Sequence, residues 1–425
     1  MLLNGMDIER DSVYDQDDRQ YFLASELAAG GQGVVYRTQG STDLVKLFKN
    51  SRNASDEIAR VRRMPLSGLP VARPMSLINE PGGYTLKFQT DMDVVRSLKY
   101  NHRNHVRDWW FDTGGLGRRL WLGARIASIF ERLHSRGLVY GDVSSNNIMV
   151  SKSNEFTEVS LIDLDNLSYF GERTSAEVWT PTYSAPEVAK GFSPPSFESD
   201  DFSLAVILFE LITMVHPFMD GDSVKGTPTD SKIYELARRC LVPSVIDGGG
   251  ENNCSTYPVH NEKQLLGDDL LKLFNVTFDS KSFAIEDRIT AGRFRVALAQ
   301  CALLVIECGK CDWVYSSRIF PACPDCGHVE QGVSLRMLSP DGIVRAYEVA
   351  LGSKKKSVDL GVLFPALLEQ EVVRGSHTVD LVIMNRKVRI SPRNPNLVNV
   401  PRNIEGTVNA AIKNFGVIKI EVVTR

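Results

Sequence analysis

Hydrophobic and polar residues alternate along the first part of the chain, a period typical of strands. From Tyr21 to Asn50, β-branched and aromatic residues alternate around glycine-rich turns, which predicts three antiparallel strands. The following segment ASDEIARVRRM has helical spacing, and GGYTLKFQT returns to a strand pattern. We therefore expect a flexible acidic N-terminus at residues 1–19 and a small β-rich lobe over residues 20–91.

Helical spacing replaces the strand pattern after residue 92. In LWLGARIASIFERLHSRG one face is apolar, and Gly137 stands where a helix would end. An α-rich lobe is expected over residues 92–300. Within it, residues 221–262 contain glycine clusters and polar stretches around one short helix, which predicts an exposed insertion. The residues expected on the buried helical face are Leu120, Ala124, Ala127 and Phe130.

The last part of the chain contains a cysteine-rich segment at residues 301–330 and then strand-like runs. Segments such as HTVDLVIMNRKVRI and FGVIKIEVV alternate with turns. Residues 331–425 are therefore expected to form a small β-rich domain, either a sandwich or a small barrel.

Composition and charge exclude several classes of partner. The chain has 425 residues, 43% of them hydrophobic and 24% charged, which is typical of globular proteins. Its formal net charge of -3 provides no bulk attraction to nucleic acid or to anionic membranes, so neither partner is expected. Charged residues interrupt the start MLLNGMDIERD, so we expect no signal peptide and a cytoplasmic location. The longest apolar run, LAVILFELITMV, is too short to cross a bilayer and contains Glu210, so we expect no membrane span.

Four of the seven cysteines form two C-x2-C pairs separated by eleven residues. In a reducing compartment this spacing favours a metal site over disulfides. Four thiolates match a structural Zn2+ ribbon, and free thiols or an iron centre are the alternatives. Such a closed site supports folding rather than catalysis. The four ligands are Cys308, Cys311, Cys323 and Cys326.

A glycine-rich turn is the first candidate for chemistry. The segment AAGGQGVVY places Gly30, Gly31 and Gly33 between two strands, where missing side chains let backbone N-H groups approach phosphates. A plain structural turn explains these glycines equally well.

Lys46 lies in the apolar strand DLVKLF, where an unpaired charge would be costly to bury. A phosphate or a carboxylate would stabilise it, with Glu57 as the first candidate partner and Asp56 as the second. The alternative is that Lys46 extends to solvent from a strand edge.

Acidic and amide residues follow two further apolar stretches. Asp142 precedes Asn147 by five residues, and Asp163 and Asp165 end the strand of VSLIDLDNLSY. Such hard oxygen ligands suit Mg2+ bridged to phosphates. A single aspartate at such a place can instead cap a turn.

Taken together, these segments resemble the protein kinase superfamily over residues 20–300. The glycine loop is similar to G-x-G-x-x-G-x-V, with Ala28 in place of the first glycine and Val35 at the valine position. The resemblance implies ATP as the nucleotide and Lys46 as the lysine that contacts its α and β phosphates.

The same resemblance assigns the catalytic residues. YGDVSSNN resembles H-R-D-x-x-x-x-N, which implies Asp142 as catalytic base and Asn147 as a metal ligand. Asp163 takes the place of the D-F-G aspartate and implies binding of Mg2+ or Mn2+.

Features typical of protein kinases continue downstream. TPTYSAPE resembles the end of an activation segment, with Thr180 facing the substrate and Glu187 closing the A-P-E. Asp200 resembles the buried aspartate of the central helix, and Arg288 the arginine that pairs with Glu187. The resemblance implies an α+β, bilobal protein-kinase-like fold followed by a zinc ribbon and a small β-rich domain. It also implies transfer of the γ-phosphate of ATP to serine or threonine of a protein substrate.

The sequence departs from the family pattern near the catalytic residues. Tyr140 and Gly141 replace the His and Arg of H-R-D, Ser144 stands where a lysine is usual, and Asp165 replaces the D-F-G glycine. The chain looks most like a bacterial branch whose members are encoded beside a PP2C-type phosphatase and a von Willebrand A domain protein in stress or tellurite-resistance clusters. Both proteins are therefore candidate partners.

Two alternative functions remain open. The departures permit a pseudokinase scaffold that binds nucleotide and partners without transfer, although Lys46, Asp142, Asn147 and Asp163 are all retained. A small-molecule kinase is the second alternative, and Thr180 and the A-P-E segment weigh against it.

Overall fold

The computed structural model describes most of the chain and leaves defined gaps. Gly31, residues 1–11 and residues 221–261 of the predicted insertion lie outside the described part. The described residues are 12–30, 32–49, 54–100, 105–172, 180, 182–217, 262–278, 285–330, 332–338, 346–364, 367, 377–384, 387–404, 407–413 and 416–423.

An antiparallel sheet with the order β1-β2-β3-β4-β6-β5 forms the first lobe, which confirms the predicted strands. One face buries Leu23, Val45 and Leu47, and the other buries Leu44 and Leu86 against helix α1 (Ala54–Arg63). Residues two apart on a strand point to the same face, so Lys46 lies on the same face as Leu44, the face that packs on α1. The strands are β1 (Ser12–Tyr14), β2 (Gln20–Ala29), β3 (Gly33–Thr38), β4 (Asp43–Phe48), β5 (Leu77–Ile78) and β6 (Gly83–Lys87).

Helices form the second lobe, with α3 at its centre. All four residues predicted for the buried face of α3 are at most 1% exposed. The chain leaves α3 at Gly137, whose φ of 75° favours glycine, as the sequence predicted. The helices are α2 (Val106–Asp112), α3 (Gly115–Ser135), α4 (Pro186–Ala189), α5 (Phe197–Thr213), α6 (Glu262–Phe278) and α7 (Ala291–Leu304).

The longest apolar run, residues 204–215, begins in α5, extends two residues past its end and is buried. Its charged residue Glu210 accepts hydrogen bonds from Lys99 at 2.9 Å and from Tyr183 at 2.8 Å. Across the described ranges, no helix is both long and apolar enough to span a membrane.

Short strands near the lobe boundary carry the loops of the candidate site. Strands β7, β9 and β10 form one small sheet, and β8 pairs with β11. The β8–β9 loop carries Asp142, and the β10–β11 loop carries Asp163. The strands are β7 (Met92–Val94), β8 (Leu138–Val139), β9 (Ile148–Ser151), β10 (Val159–Leu161) and β11 (Ser168–Tyr169).

The described C-terminal residues form a hairpin and then two separate antiparallel sheets. The hairpin pairs β12 (Val305–Glu307) with β13 (Val314–Ser316). One sheet has the order β15-β14-β22-β21-β19, from strands β14 (Val333–Leu338), β15 (Ala346–Leu351), β19 (Val398–Asn399), β21 (Thr407–Ile412) and β22 (Gly416–Val423). The other has the order β16-β17-β18-β20, from strands β16 (Lys356–Asp359), β17 (Thr378–Met384), β18 (Lys387–Pro392) and β20 (Asn403–Ile404).

The two C-terminal sheets pack onto the helical lobe and share its hydrophobic core. Helix α8 (Leu360–Leu363) and β15 lie against α7. The buried Asp359 at the start of α8 pairs with Arg125 of α3 at 2.6 Å. The β-rich domain is therefore docked on the lobe.

Candidate active site

Asp200 of α5 supports the loop that carries Asp142. Its carboxylate is buried and accepts the backbone N-H groups of Tyr140 at 2.7 Å and Gly141 at 3.0 Å. Gly141 has a φ of 83°, a conformation that glycine adopts without strain. Tyr140, which replaces a histidine of the family pattern, is buried, and its hydroxyl donates to the Ile162 carbonyl. The glycine and the tyrosine therefore have structural roles in shaping this loop.

Asp142 lies between a hydroxyl and an amide. Thr180 Oγ1 donates to Asp142 Oδ1 at 2.7 Å, and Asn147 Nδ2 donates to Asp142 Oδ2 at 3.1 Å and to its backbone carbonyl at 3.0 Å. Burial raises the pKa of Asp142, and the hydrogen bond from Thr180 opposes that rise. Because Asn147 uses its nitrogen here, its amide oxygen is the atom suited to binding a metal ion.

Lys46 pairs with the two aspartates that follow β10. Its side chain is 8% exposed, and Nζ lies 2.7 Å from Asp163 Oδ1 and 2.6 Å from Asp165 Oδ2. Burial opposes the charged amine, but the two carboxylates raise the pKa of Lys46 overall. The amine thus lies in the cleft between β4 of the first lobe and the β10–β11 loop of the second, and the lysine does not extend to solvent from a strand edge.

The partners expected for Lys46 from the sequence lie on α1. Asp56 is exposed there, and the side chain of Glu57 lies outside the described residues. Sequence reasoning missed the contact of Lys46 with Asp165, although alternate positions of the segment DLD can face one site. It also missed Tyr84, the residue opposite Lys46 in the β4–β6 register, whose hydroxyl donates to Asp165 Oδ1 at 2.8 Å.

The glycine turn closes the β2–β3 hairpin above Lys46. Ala28 lies opposite Val35 in the β2–β3 register, and Val35 lies opposite Lys46 in the β3–β4 register. The N-H of Gly30 donates to the carbonyl of Gly33 at 2.9 Å, which forms the turn. A Cβ at Gly33 would lie 2.4 Å from the Leu47 carbonyl oxygen, so close strand packing alone requires a glycine there.

Two further contacts connect the parts around the site. Glu187 and Arg288 form a bidentate ion pair with N–O distances of 2.6 and 2.7 Å. Across the cleft, Gln32 of the glycine turn donates to Asn166 at 3.4 Å. The predicted pairing of Glu187 with Arg288 is thus present.

The four cysteines form one cluster, in which Cys308 and Cys311 come from the β12–β13 loop and Cys323 and Cys326 from the segment after β13. Their Sγ atoms all lie within 4.8 Å of one another. The pairs Cys308–Cys326 and Cys311–Cys323 are each separated by 3.6 Å. Four sulfurs about 2.3 Å from a zinc ion at the centre of a tetrahedron lie about 3.8 Å apart, so this donor set fits Zn2+.

The cysteine segment packs against α2 of the helical lobe. Arg107 forms a bidentate pair with Asp325 at 2.6 and 2.8 Å, and its guanidinium lies 5.1 Å from the Trp313 ring centre. Trp313 and Tyr315 are buried, whereas Arg318 is 64% exposed beside Asp269. The aromatic residues of the spacer therefore form a hydrophobic plug.

The known proteins to which this chain is similar in sequence are protein kinases. Residues 121–264 match the model of the protein kinase domain. A probable serine/threonine-protein kinase of Clostridium perfringens is 25% identical over 295 residues, which cover 64% of this chain and 41% of that protein. A serine/threonine-protein kinase of Myxococcus xanthus is 28% identical over 232 residues, covering 49% and 40% of the two chains.

A third relative, a serine/threonine-protein kinase of Streptomyces coelicolor, is 24% identical over 231 residues, covering 51% of this chain and 27% of that protein. The chain thus spans about two fifths of the length of the first two relatives.

Proposed function

Because residues 121–264 match the protein kinase domain and the relatives are serine/threonine-protein kinases, we propose that this chain is a serine/threonine protein kinase. It transfers the γ-phosphate of ATP to a hydroxyl of a protein substrate. The observation that supports this most is the hydrogen bond from Thr180 to Asp142, since a hydroxyl group lies 2.7 Å from the proposed catalytic base.

The residues around Lys46 suit a nucleotide with a divalent cation. Asp163 is one-third exposed, and Asn147 uses its amide nitrogen for Asp142, so the Asp163 carboxylate and the Asn147 amide oxygen are the hard oxygen ligands proposed for Mg2+ or Mn2+. When bound, the ion neutralises phosphate charge. Lys46 would contact the α and β phosphates, and Glu57 is proposed as a further contact of this nucleotide site. The residues proposed to hold the nucleotide from the glycine-rich segment are Ala28, Gly30, Gly31, Gly33 and Val35.

Asp142 orients the substrate hydroxyl and accepts its proton. Thr180 donates to one carboxylate oxygen and Asn147 to the other, and each oxygen keeps a further lone pair that can accept the proton of the substrate. Asn147 and the Asp200-supported loop hold Asp142 in place. Positioning and charge neutralisation then supply most of the acceleration.

The site favours a protein substrate over the two alternatives. The Glu187–Arg288 pair and Thr180 together build a segment like the substrate-facing end of a protein kinase activation segment. A pseudokinase scaffold has no need for Lys46, Asp142, Asn147 and Asp163 in one cleft, and a small-molecule kinase has no need for that segment.

The remaining parts have supporting roles. We propose a domain order of N-lobe (20–91), C-lobe (92–300), zinc ribbon (301–330) and β-rich domain (331–425), acting in the cytoplasm. Cys308, Cys311, Cys323 and Cys326 hold a structural Zn2+. A PP2C-type phosphatase and a von Willebrand A domain protein are the proposed partners, and copurification from the native host without either would contradict that pairing.

Phosphate transfer from γ-labelled ATP tests the function. The protein is incubated with Mg2+ or Mn2+ and a generic protein substrate, and Asp163→Ala serves as the inactive control. Label on serine or threonine that the control lacks is the expected result. Bound nucleotide without transfer would favour the scaffold, and label confined to a small molecule would favour the small-molecule kinase.

A further inference from the structure

Asp165 is a buried carboxylate in the cleft for which the transfer reaction above needs no role. We propose that Asp165 is a positioning residue, which holds the Lys46 amine where it meets the nucleotide phosphates, and that Tyr84 in turn holds Asp165. The inference rests on the proposed function, because it concerns the same cleft.

Burial and charge distinguish Asp165 from Asp163. Both carboxylates pair with Lys46, but the Asp165 side chain is 9% exposed and that of Asp163 is 33% exposed. The more exposed Asp163 is the proposed metal ligand, so its charge serves the cation. Asp165 then remains as the buried counter-charge that a buried lysine requires.

Each oxygen of Asp165 has its own donor. Oδ2 accepts from Lys46 at 2.6 Å, and Oδ1 accepts from the Tyr84 hydroxyl at 2.8 Å. Tyr84 comes from β6, the strand next to Lys46 in the sheet, so the carboxylate is fixed by two neighbouring strands. With both oxygens engaged, the carboxylate has one defined orientation, and so does the amine that it holds.

The backbone around Asp165 is also fixed. Leu164 and Leu167 are both at most 1% exposed, and the N-H of Leu167 donates to the Leu164 carbonyl at 3.0 Å. The carboxylate is therefore attached to a rigid turn.

A double-mutant cycle separates positioning from direct metal binding. If Asp165 acts through Lys46, Asp165→Asn lowers kcat/KM for phosphate transfer about tenfold or more in the protein that retains Lys46. The same substitution does not lower kcat/KM further in the Lys46→Met variant. Tyr84→Phe gives a smaller loss, which also vanishes in Lys46→Met. Asp108→Asn, which removes an exposed carboxylate on α2, is the matched control with unchanged activity.

The same four proteins of the cycle are titrated with ATP and Mg2+ by calorimetry, which keeps this inference separate from the proposed function. A Lys46-dependent effect of Asp165→Asn on ATP affinity supports positioning even if the natural protein transfers no phosphate. Equal effects of Asp165→Asn in both backgrounds would identify an independent metal ligand or a general structural role and overturn the inference. No effect in either background, or no ATP binding by the natural protein, would overturn it as well.

Discussion

The Thr180 hydroxyl donates a 2.7 Å hydrogen bond to Oδ1 of Asp142, which joins the segment before α4 to the loop after β8. Asp142 receives its other side-chain bond from Asn147, on its own loop. Thr180 is thus the contact through which the distant segment can orient the proposed base.

Removing that hydroxyl is expected to slow phosphate transfer. Thr180→Ala lowers kcat about tenfold, because Asp142 loses one of the hydrogen bonds that orient it, while the KM for ATP stays within threefold. Thr180→Ser retains the hydroxyl and serves as the matched control with nearly natural kcat. Steady-state kinetics on a protein substrate measure both, and equal losses in the two variants would show that the methyl group matters instead.

The Glu187–Arg288 pair is expected to contribute strongly to stability. Its side chains are 11% and 7% exposed, so Glu187→Gln leaves a nearly buried guanidinium without its counter-charge and costs about 3 kcal/mol. The surface pair of Glu172 and Arg60 is 43% and 35% exposed, and Glu172→Gln costs less than about 1 kcal/mol. Denaturant unfolding of both variants checks the difference, and equal losses would contradict this account.

Local features of the site were predictable because they depend on neighbouring residues. Helical spacing indicated the buried face of α3, and the loop carrying Asp142 follows from a short polar run before an apolar strand. The cysteine spacing alone brings four sulfurs together. In each case the spacing of residues along the chain determines which side chains lie close together.

Contacts made only in the folded chain were not predictable from such patterns. Lys46 and Asp165 are 119 residues apart, and their contact depends on how the two lobes close. Tyr84 lies beside Lys46 because of the register between β4 and β6, and a single sequence does not specify that register. The docking of the β-rich domain through Asp359 and Arg125 likewise joins segments 234 residues apart.

The cysteine cluster is expected to bind one equivalent of zinc. Cys311→Ser removes a ligand, so the purified variant contains little zinc by elemental analysis and unfolds at lower temperature. The ring centres of Trp313 and Phe111 of α2 are 5.5 Å apart. Loss of the metal is expected to disturb this packing and therefore to change tryptophan fluorescence. Cys301→Ser, outside the cluster, retains the metal, and a zinc-free natural protein with an unchanged melting temperature after chelation would contradict the assignment.

Lys356 is expected to make stability depend on pH. Its amine donates to the carbonyls of Leu303 and Val305, and burial alone lowers the pKa of Lys356 to about 7. Between this value and the ordinary pKa of about 10.5, the unfolded chain binds a proton that the folded chain does not, so folding becomes more favourable as pH rises.

Substitution of this lysine isolates its contribution. From pH 7 to 9, the free energy of unfolding of the natural protein should rise relative to that of Lys356→Met by about 2 kcal/mol, since each pH unit contributes at most about 1.4 kcal/mol. Denaturant unfolding at pH 7, 8 and 9 measures the difference. Lys355→Met, which removes a neighbouring exposed amine, is the matched control, and parallel pH profiles for the natural protein and Lys356→Met would show that the Lys356 amine remains charged.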